Sequence, residues 1–137
     1  MWLYGFARVV LGTGYRLIYR IRAEGQEHIP RSGGVILCGN HVNAQDPIMI
    51  GLASPRPVCF MAKEELFKPP VFGPLIRSLN AFPIRRGDGD AGAIRQAVRA
   101  LEEGRALIVF PEGTRGDGEH LGDIQAGLIM LAKRSNA

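Results

Sequence analysis

The sequence predicts an α/β fold with a mixed, largely parallel sheet flanked by helices. Short runs of consecutive apolar residues recur along the 137-residue chain, and the segments between them repeat their apolar residues at helical spacing. Uninterrupted apolar runs are typical of strands covered on both faces, and strands that alternate with helices indicate parallel pairing. The length fits one domain, and 46% hydrophobic with 22% charged residues is the composition of a folded protein.

The segment before the first strand is predicted to be an amphipathic, membrane-associating helix within residues 1–24. Its apolar residues and its arginines fall on opposite sides of a helical wheel, with Leu3, Phe6, Val10, Leu17 and Ile21 on one side and Arg8, Arg16 and Arg20 on the other. The arginines leave no uncharged run of the roughly 18–20 residues that cross a bilayer, and no signal-peptide pattern is present. A helix in the membrane interface is one interpretation, and a helix packed on the domain's own core is the other. Gly12 and Gly14 are expected to break this helix.

The α/β domain is assigned to residues 25–137, and residues 22–30 are predicted to form an extended entry segment that leads into it. Its four predicted strands are the apolar runs Val35–Gly39, Pro57–Ala62, Ala81–Ile84 and Ala106–Phe110. Cys38 and Cys59 lie in the first two runs and are predicted to be buried, reduced thiols. No CxxC motif and no Cys/His cluster with metal-ligand spacing accompanies them.

Four helices are predicted around these strands. The first follows Asp46 as N-cap with Pro47 in its first position, and the second spans residues 71–79 after two prolines. The third, at residues 90–103, starts at Asp88 or Asp90, ends at Gly104, and carries the repeat Ile94, Ala97, Val98 and Leu101. The last contains Ile124, Leu128 and Leu131. An alternating fold would continue with a strand, so the sequence is expected to be a fragment, or the sheet ends early.

The formal net charge of +4, supplied mainly by arginine, favours an anionic partner. A membrane surface, a phosphate-bearing substrate and a nucleic acid all have the required charge, and a merely basic, solvated surface is the alternative. The arginines are scattered over unrelated elements without an aromatic platform, which argues against nucleic acid.

The first candidate for chemistry is the pair His41 and Asp46 in the segment Asn40–Pro47, directly after a buried strand. Ligands of open α/β sheets bind at this strand end. A histidine accepts a proton near neutral pH, and a carboxylate on its other ring nitrogen fixes the tautomer and stabilises the imidazolium. A loop histidine beside an ordinary helix start remains the alternative.

Three further strand ends carry charged side chains. Lys63 follows the second strand, Arg85 and Arg86 follow the third, and the segment Pro111–Arg115 follows the fourth. An arginine offers a planar donor pair to phosphate, and Gly113 permits close backbone approach. Each segment alone is equally compatible with surface charge, but four successive strand ends that deliver these groups to one edge indicate a binding site.

Taken in order, these segments resemble the glycerolipid acyltransferases, and most closely the bacterial 1-acyl-sn-glycerol-3-phosphate acyltransferases. The family's NHxxxxDP motif is matched by Asn40–Pro47, its FPIRR-like motif by residues 82–86, and its FPEGTR motif by Phe110–Arg115. The run Ala62–Leu66, followed by Pro70 and Gly73, is also similar to the family. The resemblance covers residues 25–136 approximately.

The resemblance implies an enzyme that transfers a fatty acyl group from acyl-CoA or acyl carrier protein to the 2-hydroxyl of lysophosphatidate, forming phosphatidate. It implies His41 as general base and Asp46 as its orienting partner, with no metal and no cofactor. The implied substrate-binding residues are Lys63, Arg86, Glu112, Gly113, Thr114 and Arg115. An anionic membrane surface is the implied partner, with peripheral or monotopic attachment at the cytoplasmic face of the cell membrane.

Three positions depart from the family pattern. Asn43 stands where many relatives have Ser or Thr, and Gln125 stands where a basic residue is frequent. The family's fourth motif, a Pro- and Val-rich strand, is expected after Ala137. Two other functions therefore stay open: a thioester or phosphoester hydrolase that uses the same His/Asp pair, and a truncated, inactive membrane-binding module.

Overall fold

Four parallel strands form the centre of the fold, which a computed structural model describes for residues 2–85, 91–116, 124 and 126–137. Their bounds are β1 Val35–Cys38, β2 Val58–Lys63, β3 Ala81–Ile84 and β4 Ala106–Val109. The sheet order is β1-β4-β2-β3, and every pairing between the described strands is parallel. The predicted α/β class is confirmed, and all four predicted strands are present within one residue of their expected bounds.

The position of each strand in the sheet explains its burial. All four residues of β4 are buried because this strand pairs with β1 on one side and β2 on the other. Side chains of β1 pack on both faces of the sheet, Ile36 on one face and Val35 and Leu37 on the other, but they are only partly buried because β1 lies at the edge of the described sheet. Cys38 is exposed at its end, contrary to prediction. Cys59 in β2 is buried as predicted, and burial raises the pKa of its thiol to about 11.

Within the described residues, five α-helices lie around the sheet. Their bounds are α1 Trp2–Tyr19, α2 Asp46–Ala53, α3 Phe72–Ser78, α4 Ala91–Glu102 and α5 Ala126–Ser135. The apolar stripe of α4 packs with Leu131 of α5 on one face of the sheet, where it meets Leu107 and Val109. On the opposite face, Ile50 of α2 packs against Val58 and Ile108.

The predicted helix ends are confirmed in part. Gly104 adopts a φ of 76° and ends α4, with the backbone amide of Arg105 donating to the carbonyl of Ala100. Asp46 is not the N-cap of α2; Gln45 holds that position, and Asp46 lies in the first turn of the helix, beside Pro47. Asp88 and Asp90, the two predicted caps of α4, lie outside the described residues.

The N-terminal helix α1 differs from its prediction in two respects. It continues unbroken through Gly12 and Gly14, and Gly12 faces Leu52 of α2. Arg8 does not face solvent with the other arginines, because its guanidinium donates to the backbone carbonyl of Ser54. The opposite side of α1 is exposed and apolar, as predicted, and consists of Phe6, Val9, Val10 and Leu17.

The entry segment at residues 22–30 was predicted to be extended, but the structure shows that it is extended only in part. It contains a 3₁₀ turn at Gln26–His28, and the side chain of Gln26 donates to the carbonyl of Ala53 at the end of α2. Arg56 then donates to the carbonyls of Pro30, Gly33 and Gly104. These bonds hold the start of β1 beside the start of β4.

Candidate active site

The candidate site lies at the edge of the sheet where the parallel strands have their carboxyl ends. Cys38 of β1 is paired with Val109 of β4, and Lys63 of β2 is paired with Ile84 of β3. Each strand therefore passes its following segment to the same edge, as expected for ligand sites of parallel sheets. We call residues 39–46, after β1, the dyad loop, and residues 110–116, after β4, the arginine loop.

His41 and Asp46 meet within the dyad loop. Nδ1 of His41 lies 2.9 Å from Oδ2 of Asp46. The two side chains are only 17% and 12% exposed, respectively. With Nδ1 protonated and donating to the carboxylate, Nε2 carries the free lone pair of the imidazole. The geometry is therefore that of a histidine base oriented by a carboxylate.

Asp46 is held by three donors at once. Its Oδ2 accepts hydrogen bonds from the backbone amides of Val42 and Asn43, each at 2.8 Å, in addition to the bond from His41. Desolvation by burial is the largest single influence and raises the pKa of Asp46. The hydrogen bonds from Asn43, His41 and Val42, together with the charge of His41, outweigh it, so the net pKa is lowered. Asp46 is consequently ionised at neutral pH, where its carboxylate can accept the hydrogen bond from His41.

The local sequence explains this arrangement. The Oδ1 atom of Asn43 accepts a bond from the amide of Gln45, and the carbonyl of Asn43 accepts one from the amide of Asp46. These bonds turn the chain so that two backbone amides face Asp46. Gly39 lets β1 pass close to α2, because a Cβ atom there would lie 2.9 Å from the Cδ1 atom of Ile50.

The arginine loop begins with a tight turn that the sequence encodes directly. The amide of Gly113 donates to the carbonyl of Phe110 at 3.0 Å, and Gly113 has a φ of 66°. Proline at the second position and glycine at the fourth are the residues that such a turn favours. The amide of Gly116 then donates to the carbonyl of His41 at 2.8 Å, which ties the arginine loop to the dyad loop.

Phe110 touches the proposed base directly, and the sequence-based site assignment omitted it. Its ring stacks on the imidazole of His41, with centroids 4.1 Å apart and an angle of 20° between the planes. The ring therefore restricts rotation of the imidazole, and its face can stabilise an imidazolium. Its place as the first residue of the FPEGTR motif was the available signal.

The other predicted site residues have different surroundings. Glu112 is buried, at 7% exposure, whereas Gly113, Thr114 and Arg115 are exposed in the arginine loop. Lys63 is exposed at the end of β2, beside β4.

Two arginines follow β3, and the structure describes the first of them, Arg85. The guanidinium of Arg85 pairs with Glu64 at 2.8 Å, which links the end of β3 to the segment after β2. Arg86, the predicted phosphate ligand of this strand end, lies outside the described residues, as does Gln125.

A second contact that the sequence did not predict joins α1 to the dyad loop. The hydroxyl of Tyr15 donates to the side-chain carbonyl of Gln45 at 2.9 Å. Gln45 is the N-cap of α2 and directly precedes Asp46. The N-terminal helix is therefore hydrogen-bonded to the residue beside the dyad.

Comparison with known proteins agrees with this arrangement of motifs. The model of the family described as Acyltransferase matches residues 20–137. The chain belongs to the acyltransferase family. The resemblance drawn from the three motifs is thereby confirmed at the level of the family.

Individual members of the acyltransferase family are similar over most of the chain. A 1-acyl-sn-glycerol-3-phosphate acyltransferase of Streptococcus pneumoniae is 39% identical, covering 93% of this chain and 50% of that protein. A lyso-ornithine lipid O-acyltransferase of Pseudomonas aeruginosa is 33% identical, covering 85% of this chain and 43% of that protein. The two relatives are named for different acceptor lipids, so membership of the family does not fix the acceptor.

A solved structure shares the fold of this acyltransferase domain. The crystal structure of the 1-acyl-sn-glycerophosphate (LPA) acyltransferase PlsC from Thermotoga maritima matches with a TM-score of 0.69 and 29% identity. The match covers 96% of this chain and 56% of that chain. The chain spans about half the length of the first curated relatives it matches, which it covers to 50% and 47%.

Proposed function

We propose that the chain carries the catalytic part of a membrane-associated 1-acylglycerol-3-phosphate acyltransferase. The donor is acyl-CoA or acyl carrier protein, the acceptor is 1-acyl-glycerol-3-phosphate, and the product is phosphatidate. The observation that carries the proposal is the 2.9 Å contact between Nδ1 of His41 and Oδ2 of Asp46 at the carboxyl edge of a parallel sheet. It leaves Nε2 of His41 available to a substrate hydroxyl.

The reaction follows from this geometry. Nε2 of His41 accepts the proton of the acceptor hydroxyl while the hydroxyl oxygen forms a bond to the thioester carbonyl carbon. Asp46 stabilises the resulting imidazolium. The C–S bond then breaks, the thiolate takes the proton from His41, and the ester remains. A thioester is already activated, so positioning and general base catalysis suffice, and the proposal includes no metal and no cofactor.

The cationic residues of the site bind the phosphate group of the acceptor lipid in this proposal. Arg115 is exposed in the loop that is bonded to the backbone of His41, and its guanidinium can accommodate two phosphate oxygens. Lys63 and Arg86 are the further phosphate ligands of the proposal. Glu112, Gly113 and Thr114 position the glycerol, with Glu112 as a buried acceptor for its hydroxyl.

The exposed side of α1 accounts for membrane attachment. Within the described residues no helix is both long and apolar enough to span a bilayer. Phe6 and Leu17 are 63% and 77% exposed on a helix whose other side is bonded to the domain through Arg8 and Tyr15. Such a helix lies in the interface with its apolar side in the lipid. We assign residues 1–24 to this attachment, residues 25–137 to the catalytic domain, and the cytoplasmic face as its location.

The test is acyl transfer by His41→Ala, with His28→Ala as the matched control. His28 is a solvent-exposed histidine in the 3₁₀ turn before β1. We expect His41→Ala to lower the rate of phosphatidate formation by about 10³-fold or more, and His28→Ala to leave it within about twofold. Transfer by His41→Ala at the parent rate would remove His41 as the base.

The same assay separates the alternative functions. Thiol release from acyl-CoA is measured with and without lysophosphatidate, and then with lyso-ornithine lipid as acceptor. Transfer requires that release depends on the acceptor, whereas release without any acceptor would identify a hydrolase. Vesicle binding without any release, restored to turnover when the chain is extended at its C-terminus, would identify a binding module.

A further inference from the structure

A second apolar surface lies on the segment between β2 and β3. It consists of Leu66, Val71, Phe72 and Leu75, and we call residues 66–75 the proline tip. Val71 is 81% exposed, more than any other large hydrophobic residue in the described part of the chain. A contiguous group of exposed apolar residues of this kind marks a contact surface.

The backbone of the proline tip is suited to an apolar environment. Pro69 and Pro70 have no amide hydrogen, so the most exposed part of the turn presents fewer donors that need a partner. The carbonyl of Pro69 accepts the amide of Gly73 at 2.9 Å, and the carbonyl of Val71 accepts the amide of Leu75 at 3.3 Å. The amides of Gly73 and Leu75 are therefore already paired when this turn enters lipid.

The proline tip is held in place by close packing. Gly73 is buried, and a Cβ atom there would lie 2.2 Å from the carbonyl oxygen of Phe67. The guanidinium of Arg77 lies over the ring of Phe67, 4.8 Å from its centroid. Ile76 anchors the other side of α3 in the protein. Val71 and Phe72 are consequently held in their exposed positions by the packing of Gly73, Phe67 and Ile76, and their exposure does not result from fraying of the helix end.

The charges around the proline tip favour an anionic partner. The segment contains Lys68 and is flanked in the chain by Lys63 and Arg77, and since Arg85 pairs with Glu64, these three cations stand against Glu65 alone. Apolar side chains surrounded by an excess of cations are the pattern of a surface that binds an anionic bilayer. The far end of α3 lies beside α1, because Leu79 after α3 and Tyr4 and Leu11 of α1 line the same apolar groove.

We propose that the proline tip is a second lipid-contact surface, which inserts Val71 and Phe72 into the interface of an anionic bilayer. The proposal rests on the membrane association proposed above, and it adds a contact that is independent of α1. The tip begins three residues after Lys63, which ends β2 at the carboxyl edge where the candidate site lies. Contact there sets this edge of the sheet toward the lipid surface, so that an acceptor lipid reaches the dyad with its acyl chain still in the bilayer.

The first experiment compares vesicle binding of two double variants. Val71→Ser/Phe72→Ser removes the tip, and Ile129→Ser/Met130→Ser removes a similarly exposed apolar pair from α5. We expect the tip variant to bind mixed phosphatidylglycerol/phosphatidylcholine vesicles about 10- to 100-fold more weakly in co-sedimentation, and the α5 variant to bind within about twofold of the parent. Equal losses in both variants would overturn the proposal.

Turnover separates this proposal from the proposed function. With a short-chain, monomeric lysophosphatidate and no vesicles, the tip variant is expected to retain the parent rate within about twofold, because Val71 and Phe72 are not among the residues of the proposed site. His41→Ala is expected to show the reverse, with normal vesicle binding and no turnover. A tip variant that is inactive on the monomeric acceptor would place these residues in the site and not in the membrane.

A direct measurement of insertion completes the test. Trp2 is the only tryptophan, so Trp2→Phe provides a background for Val71→Trp and for the control Ile129→Trp. Vesicles with brominated acyl chains are expected to quench the first indole strongly and the second weakly. Quenching that is equal at both positions would contradict insertion of the tip. Burial of the first indole by concentration-dependent self-association without vesicles would instead identify a second copy as its partner.

Discussion

The dyad loop and the arginine loop begin at neighbouring strand ends but differ in how they are held. In the dyad loop, one carboxylate oxygen of Asp46 accepts three hydrogen bonds, and the side chains of His41 and Asp46 are both largely buried. In the arginine loop, the backbone is held by a tight turn that ends at Gly113 and by the bond from the amide of Gly116 to His41, while Thr114 and Arg115 between them are exposed. One loop is organised before any substrate arrives, and the other presents its donors to solvent.

This difference suggests a division of work between the loops. A proton acceptor contributes most when its orientation is fixed in advance, because reorientation during the reaction costs free energy. A phosphate ligand gains its partner on binding, so exposure before binding is expected. Changes in the dyad loop should therefore lower kcat, and changes in the arginine loop should raise KM.

The largest effect is expected from Asp46→Asn. The amide keeps the size of the side chain but cannot stabilise an imidazolium or fix the same tautomer of His41, so kcat should fall by about 10³–10⁴-fold with little change in KM. Glu65→Gln, at an exposed carboxylate, is the control. An Asp46→Asn enzyme with a normal kcat and a raised KM would reverse the proposed division.

The same residue gives a pH dependence whose sign follows from its lowered pKa. A carboxylate with a lowered pKa in the folded state contributes stability above its unfolded value of 3.8, and this contribution is lost as the pH falls through the lower folded value. The Tm difference between the parent and Asp46→Asn should accordingly be constant near neutral pH and shrink below pH 3.8. A difference that already disappears at pH 6 would show that the three hydrogen bonds do not hold Asp46 as an anion.

Arg115→Ala tests the other loop. Loss of the guanidinium should raise KM for lysophosphatidate by about 10- to 100-fold, because a charge-assisted phosphate contact contributes about 1.5–3 kcal/mol, while kcat changes little. Arg99→Ala, on the exposed face of α4, is the matched control. An acceptor KM that is equal in both variants would remove Arg115 from the phosphate site.

Phe110 is the first residue of the arginine loop, but its ring stacks on His41 of the dyad loop, so its replacement should affect kcat. Replacement by leucine keeps an apolar side chain but removes the aromatic face on His41, so kcat should fall by about tenfold. Phe110→Tyr keeps the ring and should restore most of the rate. A rise in KM with unchanged kcat would instead assign Phe110 to acceptor binding.

Local patterns in the sequence predict the strands and motifs well, and contacts between distant segments poorly. The dyad was predictable because His41 and Asp46 lie five residues apart across one turn. The exposure of Cys38 was not, since it depends on the sheet order, which places β1 at the edge beside β4. Arg8 was placed with the solvent-facing arginines because helical spacing cannot reveal a carbonyl 46 residues away.

The smallest expected effect tests whether α1 supports the dyad loop. Tyr15→Phe removes the hydrogen bond to Gln45 and keeps the ring, which packs against Tyr19 with centroids 5.3 Å apart. One neutral hydrogen bond contributes about 0.5–1.5 kcal/mol, and only part of it acts on the dyad, so kcat should fall by about two- to threefold. Tyr19→Phe is the control, because the structure gives its hydroxyl no hydrogen bond to the dyad loop. A Tyr15→Phe enzyme that matches this control on monomeric acceptor and loses rate only on vesicles would make α1 a membrane anchor alone, with no part in orienting Asp46.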